Sequence, residues 1–171
     1  MKEQALTCCF TGHRPSKLPW GEDEGDPRCL ALKAAVSAHI EGAYLRGWRH
    51  FICGMALGSD LYFCEAALAL RDGRYPDLRV EAAVPCPTQA QRWSAAHRSR
   101  YKALLERCDW ETVVQHRYDP GCMMRRNRYM VDHSSLVIAV FDGAPGGTMR
   151  TLAYAMGKGL ELDILPLEDF H

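Results

Sequence analysis

The sequence predicts an α/β fold: a Rossmann-like, doubly wound, mostly parallel sheet with helices on both faces, formed as one domain over residues 1–171. Three observations carry this reading. Short apolar runs alternate strictly with longer segments of helical periodicity, and such alternation implies parallel strands joined by helical crossovers. The run LVIAVF (136–141) lacks polar alternation, as a strand buried on both faces should. The loops of unusual chemistry all follow strands, whereas RDGRYPD (71–77), on the opposite edge, is a plain turn. Ligands of doubly wound sheets bind beyond the carboxyl ends of the strands, where the strand order reverses.

The elements follow in order. Residues 6–11 form a first strand that stops at Thr11-Gly12. A helix occupies 26–47, with Asp26 as N-cap, Pro27 at the first helical position and Gly47 as terminator. HFICG (50–54) is the second strand and SDLYFCEAALALRD (59–72) the second helix. LRVEAAVP (78–85) is the third strand. The third helix is expected over 88–108, where Thr88 and Gln91 fit a capping box and Trp93, His97, Leu104 and Cys108 recur at helical spacing. Strand four covers 111–116, helix four 122–134, helix five 147–159 and the last strand 163–167.

Bulk properties exclude several classes. A chain of 171 residues suits a single sizeable core. Lys+Arg and Asp+Glu both number 21, so no global charge bias points to nucleic acid or membrane. No apolar run approaches the length of a membrane span, and MKEQALTCCF is too short an apolar start for a secretory signal. The expected location is the cytoplasm. Eight cysteines occur without a C-x-x-C pair, so they read as reduced structural thiols, with neither a disulfide framework nor a metal site. No cofactor is expected.

The post-strand loops carry the chemistry. Gly12-His13-Arg14-Pro15 follows strand one, placing an imidazole and a guanidinium on the ligand edge. GMALGSD (54–60) and PGGT (145–148) each lead into a helix, whose free N–H groups and partial positive charge suit a phosphate. Neither is a G-x-G-x-x-G fingerprint or a Walker loop, so NAD binding and ATP hydrolysis lack motif support. Between Pro85 and Met130 nine Lys/Arg face four Asp/Glu, an excess of five positive charges. Arg125, Arg126 and Arg128 crowd the start of helix four, where arginine suits bidentate phosphate binding. The candidate ligand contacts are Gly12, His13, Arg14, Gly54, Gly58, Ser59, Asp60, Arg126, Asn127, Asp142, Gly146, Gly147 and Thr148. Blander roles stand beside these. Asp60 is either a helix-cap carboxylate or a ribose-hydroxyl acceptor, and His13 either meets ligand or braces its loop. Met123, Met124 and Met130 read most simply as core, and Trp20 either covers the site or packs elsewhere.

The stretches FTGHRP, GMALGSD, PCPTQAQRW, RNRYMVDHSSLVIAVFDG and GGTMRTLAYA, in that order, resemble the SLOG superfamily, named from the Smf/DprA and LOG proteins, and within it the YpsA-like branch. The resemblance implies a Rossmann-like fold that binds a nucleotide or nucleotide-derived ligand. LOG members are phosphoribohydrolases that use an arginine in M-x-x-R-K-x-x-M and a glutamate shortly after P-G-G-x-G-T. Here MMRRNRYM places Arg126 at the arginine and Asn127 at the lysine, while Leu152 and Ala153 stand where the glutamates would fall. Glycosidic cleavage needs a nearby carboxylate, and Asp60 and Asp142 are the candidates to stand in for the glutamate. The expectation is therefore a small nucleotide-like ligand bound by a sensor or accessory module. A nucleoside 5′-monophosphate glycosidase with a relocated carboxylate is the alternative. Single-stranded DNA binding of the DprA kind ranks below both, because balanced charge disfavours a nucleic-acid partner. A homodimer is expected by analogy only.

Overall fold

A computed structural model describes residues 6–171. Six parallel strands form one sheet in the order β4-β3-β2-β1-β5-β6. They are β1 (Thr7–Thr11), β2 (His50–Cys53), β3 (Arg79–Val84), β4 (Trp110–Val113), β5 (Leu136–Phe141) and β6 (Glu161–Pro166). The helices are α1 (Pro27–Leu45), α2 (Ser59–Asp72), α3 (Ala95–Arg107), α4 (Cys122–Asp132) and α5 (Gly147–Gly157). From β1 to β4 the chain steps outward in one direction, and after β4 it returns to the other side of β1. Right-handed crossovers then place α1, α2 and α3 on one face, and α4 and α5 on the other.

Alternation along each strand divides the core accordingly. Cys8, Phe10, Phe51, Cys53, Leu136 and Ile138 join the cluster that packs with α1 and α2. Cys9, Ile52, Val137 and Ala139 join the cluster that packs with α4 and α5. This doubly covered sheet explains the unbroken apolar run of β5. Phe10 stacks on Phe63 with ring centroids 4.6 Å apart, fixing α2 against β1. All eight cysteines are free thiols, seven of them buried; Cys64 and Cys108 sulfurs lie 3.9 Å apart.

Several boundaries match the sequence reading. The side chain of Asp26 accepts the Arg28 N–H at 2.8 Å, and Pro27 opens α1. Other boundaries differ. The expected capping box at Thr88 and Gln91 does not form, and α3 starts at Ala95 after Ser94, whose hydroxyl accepts the His97 N–H at 3.2 Å. Residues 86–93 instead make successive tight turns, with Gln89, Gln91 and Trp93 amides bonded to Cys86, Thr88 and Ala90 carbonyls. Part of the positive excess between Pro85 and Met130 is neutralised by ion pairs. Arg100 pairs with Glu24 and Glu65, Arg107 with Asp72, and Arg125 with Asp119. Trp20 is core, with its indole N–H donating to the Tyr62 hydroxyl at 3.2 Å.

Candidate functional site

Strand order reverses between β1 and β5, which pair directly on either side of the switch. Beyond their carboxyl ends the loops diverge and leave a polar cavity of about 320 Å³. Its floor and walls include Gly12, His13, Asp60, Arg126, Gly147 and Thr148, with Arg14, Lys17 and Arg150 adding positive charge around it.

His13 is 5% exposed and works as a clamp between loops. Its Nε2 accepts the backbone N–H of Asp142 at 3.0 Å, while Nδ1 lies 3.5 Å from the Thr148 hydroxyl. An accepting Nε2 requires the neutral ring. Burial lowers the His13 pKa from its ordinary value; the Asp142 carboxylate opposes this, and Lys17 adds to it. Protonation would turn Nε2 into a donor towards Asp142 Oδ1, 3.2 Å away. Asp142 also accepts the Ala144 N–H at 2.9 Å, the main cause of its lowered pKa.

The β1 and β2 loops are locked by close approach. Ser59 gives both its amide, at 3.1 Å, and its hydroxyl, at 2.7 Å, to the His13 carbonyl. Gly58 has φ +91°, and a Cβ there would lie 2.7 Å from that same carbonyl. Only glycine fits both constraints. Met55 adopts φ 64° while wholly buried, an uncommon left-handed conformation for a large side chain.

Arg126 is the buried charge of the site, 4% exposed. Its Nη1 donates to the Gly54 carbonyl and, at 3.5 Å, to that of Ala83, so α4 is pinned to the ends of β2 and β3. Its Nε donates to Asn127 Oδ1 at 2.8 Å, and Asn127 in turn donates to the Thr151 hydroxyl. A Cβ on Gly54 would lie 2.6 Å from the guanidinium. Asp60 is buried too, with Oδ2 accepting the Ala56 N–H at 3.1 Å. Burial raises the Asp60 pKa and lowers that of Arg126, and each group's charge opposes the other's shift. No ion pair within 4.0 Å joins Arg126 to a carboxylate among the described residues.

The anticipated residues thus divide by position. Gly12, His13, Arg14, Asp60, Arg126, Asn127, Gly147 and Thr148 line the cavity. Gly54, Gly58, Ser59 and Asp142 hold the lining groups from behind. Gly146 leaves room for Lys17: a Cβ there would come within 2.8 Å of its ammonium. Asp60 does not cap α2, whose start at Gly58 has no side-chain cap; it accepts instead from Ala56 in the preceding loop and faces the cavity. Met123 and Met124 are not core; they line the cavity, and only Met130 is buried. Sequence reasoning missed Lys17 and Arg150. Lys17 sits in a 3-10 turn at Pro15–Lys17 that no periodicity announced. Arg150 stands one helical turn past the Gly-Gly pair, which was a legible signal.

A second cavity of about 530 Å³ adjoins the first, and Arg14, Ser16, Ala56 and Met123 line both. Its remaining walls include Leu57, Gln89 and Trp93.

Comparison with known proteins agrees with this architecture. The model of the YpsA family, described as the YspA SLOG family, matches residues 8–162. The chain belongs to that family. YoqJ, an SPbeta prophage-derived protein of Bacillus subtilis, is 32% identical over 143 residues, covering 76% of this chain and 83% of its own length. The UPF0398 protein YpsA of the same organism is 27% identical over 161 residues, covering 92% of this chain and 88% of its own. Among solved structures, DNA processing protein A (DprA) from Helicobacter pylori, described for its single-stranded DNA binding mode, superposes with a TM-score of 0.63 at 18% identity. DprA from Streptococcus pneumoniae gives 0.62 at 16%. Both cover 95% of this chain, which spans 66% and 50% of their lengths. At such identity these two share the fold with the YpsA-family chain. No helix among the described residues is long and apolar enough to cross a membrane.

Proposed function

We propose that this YpsA-family chain binds a phosphorylated, nucleotide-like small molecule and acts in the cytoplasm as a sensor or accessory module. The observation that carries this reading is the polar cavity at the strand-order switch. It combines a buried guanidinium, Arg126, with Lys17, Arg150 and the glycine-led N-terminus of α5. Free helix N–H groups and fixed positive charge in a partly desolvated cleft suit a phosphate. Arg126 supplies field from behind, since two carbonyls already hold its Nη1, while Lys17 and Arg150 are exposed and free to approach a ligand.

Thermal unfolding of the full chain with pyrophosphate, AMP and ADP-ribose tests it. A ligand at a hundredfold its Kd adds about 2.7 kcal/mol, a rise of roughly 5–10 °C for a domain of this size. Combining Lys17→Ala with Arg150→Ala should remove most of the rise, and Arg74→Ala, far from the cavity and paired with Glu41, should not. No rise with any of these compounds, or equal rises in all variants, rejects the assignment.

One observation favours an N-glycosidase as the second reading: Asp60 is a buried carboxylate facing the cavity, with its pKa raised. Leu152 packs into the core and Ala153 is exposed, and neither lines the polar cavity. Asp142 is turned to His13 and Ala144. The binder reading expects no free base above background from AMP by chromatography. Base release at enzymatic rates that Asp60→Asn abolishes would promote the glycosidase.

A further inference from the structure

We infer that the second cavity is a nucleobase subsite, so that the ligand class is a nucleoside phosphate whose base lies on Trp93. The inference rests on the phosphate reading above and extends it. The two cavities adjoin, with Arg14, Ser16, Ala56 and Met123 in the walls of both. A molecule with its anionic end beside Lys17 and Arg150 therefore extends into the compartment of Leu57, Met123 and Trp93.

That compartment differs in chemistry from its neighbour. Its walls are mainly apolar, and its largest flat surface is the half-buried Trp93 indole. The indole is fixed: Tyr101 meets it edge-on, with centroids 5.2 Å apart and planes at 80°. A fixed aromatic face offers a stacking surface at little entropic cost, and any base can use it. Gln89 supplies a fixed polar group, beside Arg14, Ser16 and Glu22 on the same walls. Its Nε2 donates to the Gly54 carbonyl at 3.2 Å and its Oε1 accepts the Tyr101 hydroxyl at 3.2 Å. The amide is thereby held in one orientation, leaving one N–H and one lone pair for a base edge. The same Gly54 carbonyl accepts from Arg126, so a single peptide group ties the two compartments together. The turns of residues 86–93 place Gln89 and Trp93 on one wall.

Calorimetric titration of the full chain with ribose 5-phosphate and with AMP decides the matter. Stacking of one base contributes a factor of about ten or more in affinity, so AMP should bind at least about tenfold tighter than ribose 5-phosphate. In Trp93→Ala the two affinities should converge, and in Trp93→Phe most of the gap should return. Gln89→Ala gives an independent variant, in which the gap should narrow without the loss of an aromatic ring. Equal affinities of AMP and ribose 5-phosphate for the wild-type protein overturn the base subsite while leaving the phosphate site standing. A gap that survives in folded Trp93→Ala and Gln89→Ala overturns its location. Binding of neither compound overturns the subsite, and only if pyrophosphate and ADP-ribose also leave the melting temperature unmoved does the functional reading fall with it.

Discussion

His13 shows how a residue with catalytic credentials is used as a structural clamp. A buried neutral imidazole joins the ends of β1 and β5 through the Asp142 amide. Its pKa is lowered, so the unfolded chain binds a proton here at a pH where the folded chain does not. Stability from this group is complete above the ordinary value near 6.5 and is lost as pH falls through that value towards the folded pKa. Chemical denaturation between pH 5 and 8 should show stability declining below about pH 6.5, with a shallower decline in His13→Asn. An unchanged slope in that variant removes His13 as the cause. Gly58 makes a second residue-scale case. Ala at φ +91°, with its Cβ against the His13 carbonyl, should lower stability by about 2 kcal/mol or more, read as a shift in urea midpoint. The sequence made both positions conspicuous, as a glycine before a helix and an imidazole after a strand. It did not reveal that they touch one another's loops, because that contact depends on the spacing of β1 and β2 in the sheet.

Among the elements, α3 is where local pattern and tertiary structure disagree. Thr88 and Gln91 carry capping-box chemistry, yet the chain turns instead and caps at Ser94. Gln89 explains the outcome: its side chain bridges the Gly54 carbonyl and the Tyr101 hydroxyl, contacts that only the assembled sheet can offer. Tertiary hydrogen bonds override a propensity difference of a few tenths of a kcal/mol. Ser94→Ala should therefore cost about 1 kcal/mol, while Thr88→Ala, at an exposed turn, should cost nearly nothing. Equal costs would place the helix start back at Thr88. By contrast α2 and β5 have their anticipated bounds, because burial pattern, composition and flanking glycines there all agree. Helix α4 was legible as basic but not as divided. Arg125 and Arg128 face outward, to Asp119 and the Tyr154 ring, and Arg126 alone turns into the cleft.

At the scale of the molecule, the parallel sheet and the edge that carries the polar cavity could be read from alternation and loop chemistry. The sideways order of the strands could not, since every βαβ step obeys the same handedness whichever neighbour it seeks. The order matters to the site through an ionic knot. Arg100 of α3 pairs with Glu24 at 2.6 Å and with Glu65 of α2, and Lys33 of α1 holds Glu24 at 2.7 Å. This knot ties the segment between β1 and α1, which carries Arg14 and Lys17, to all three helices of one face. Arg100→Ala leaves two carboxylates facing each other and should cost about 1–2 kcal/mol. Amide exchange should speed up over residues 15–26 more than over α5. Uniform acceleration across the chain would show instead that the knot serves general stability.

The clamp of His13 on Asp142 spans 129 positions of the chain, and the hold of Arg126 on Gly54 spans 72. The first cannot close until the return from β4 to β5 has been made, nor the second until α4 has docked, and closing such long loops is slow. During synthesis, a chain that has not yet released α5 from the ribosome holds two completed halves of a cleft and no cleft. For the binder proposed above, ligand capture would thus report that α4, β5 and the start of α5 have docked, so that a stalled or truncated product, however compact, stays silent in a binding assay.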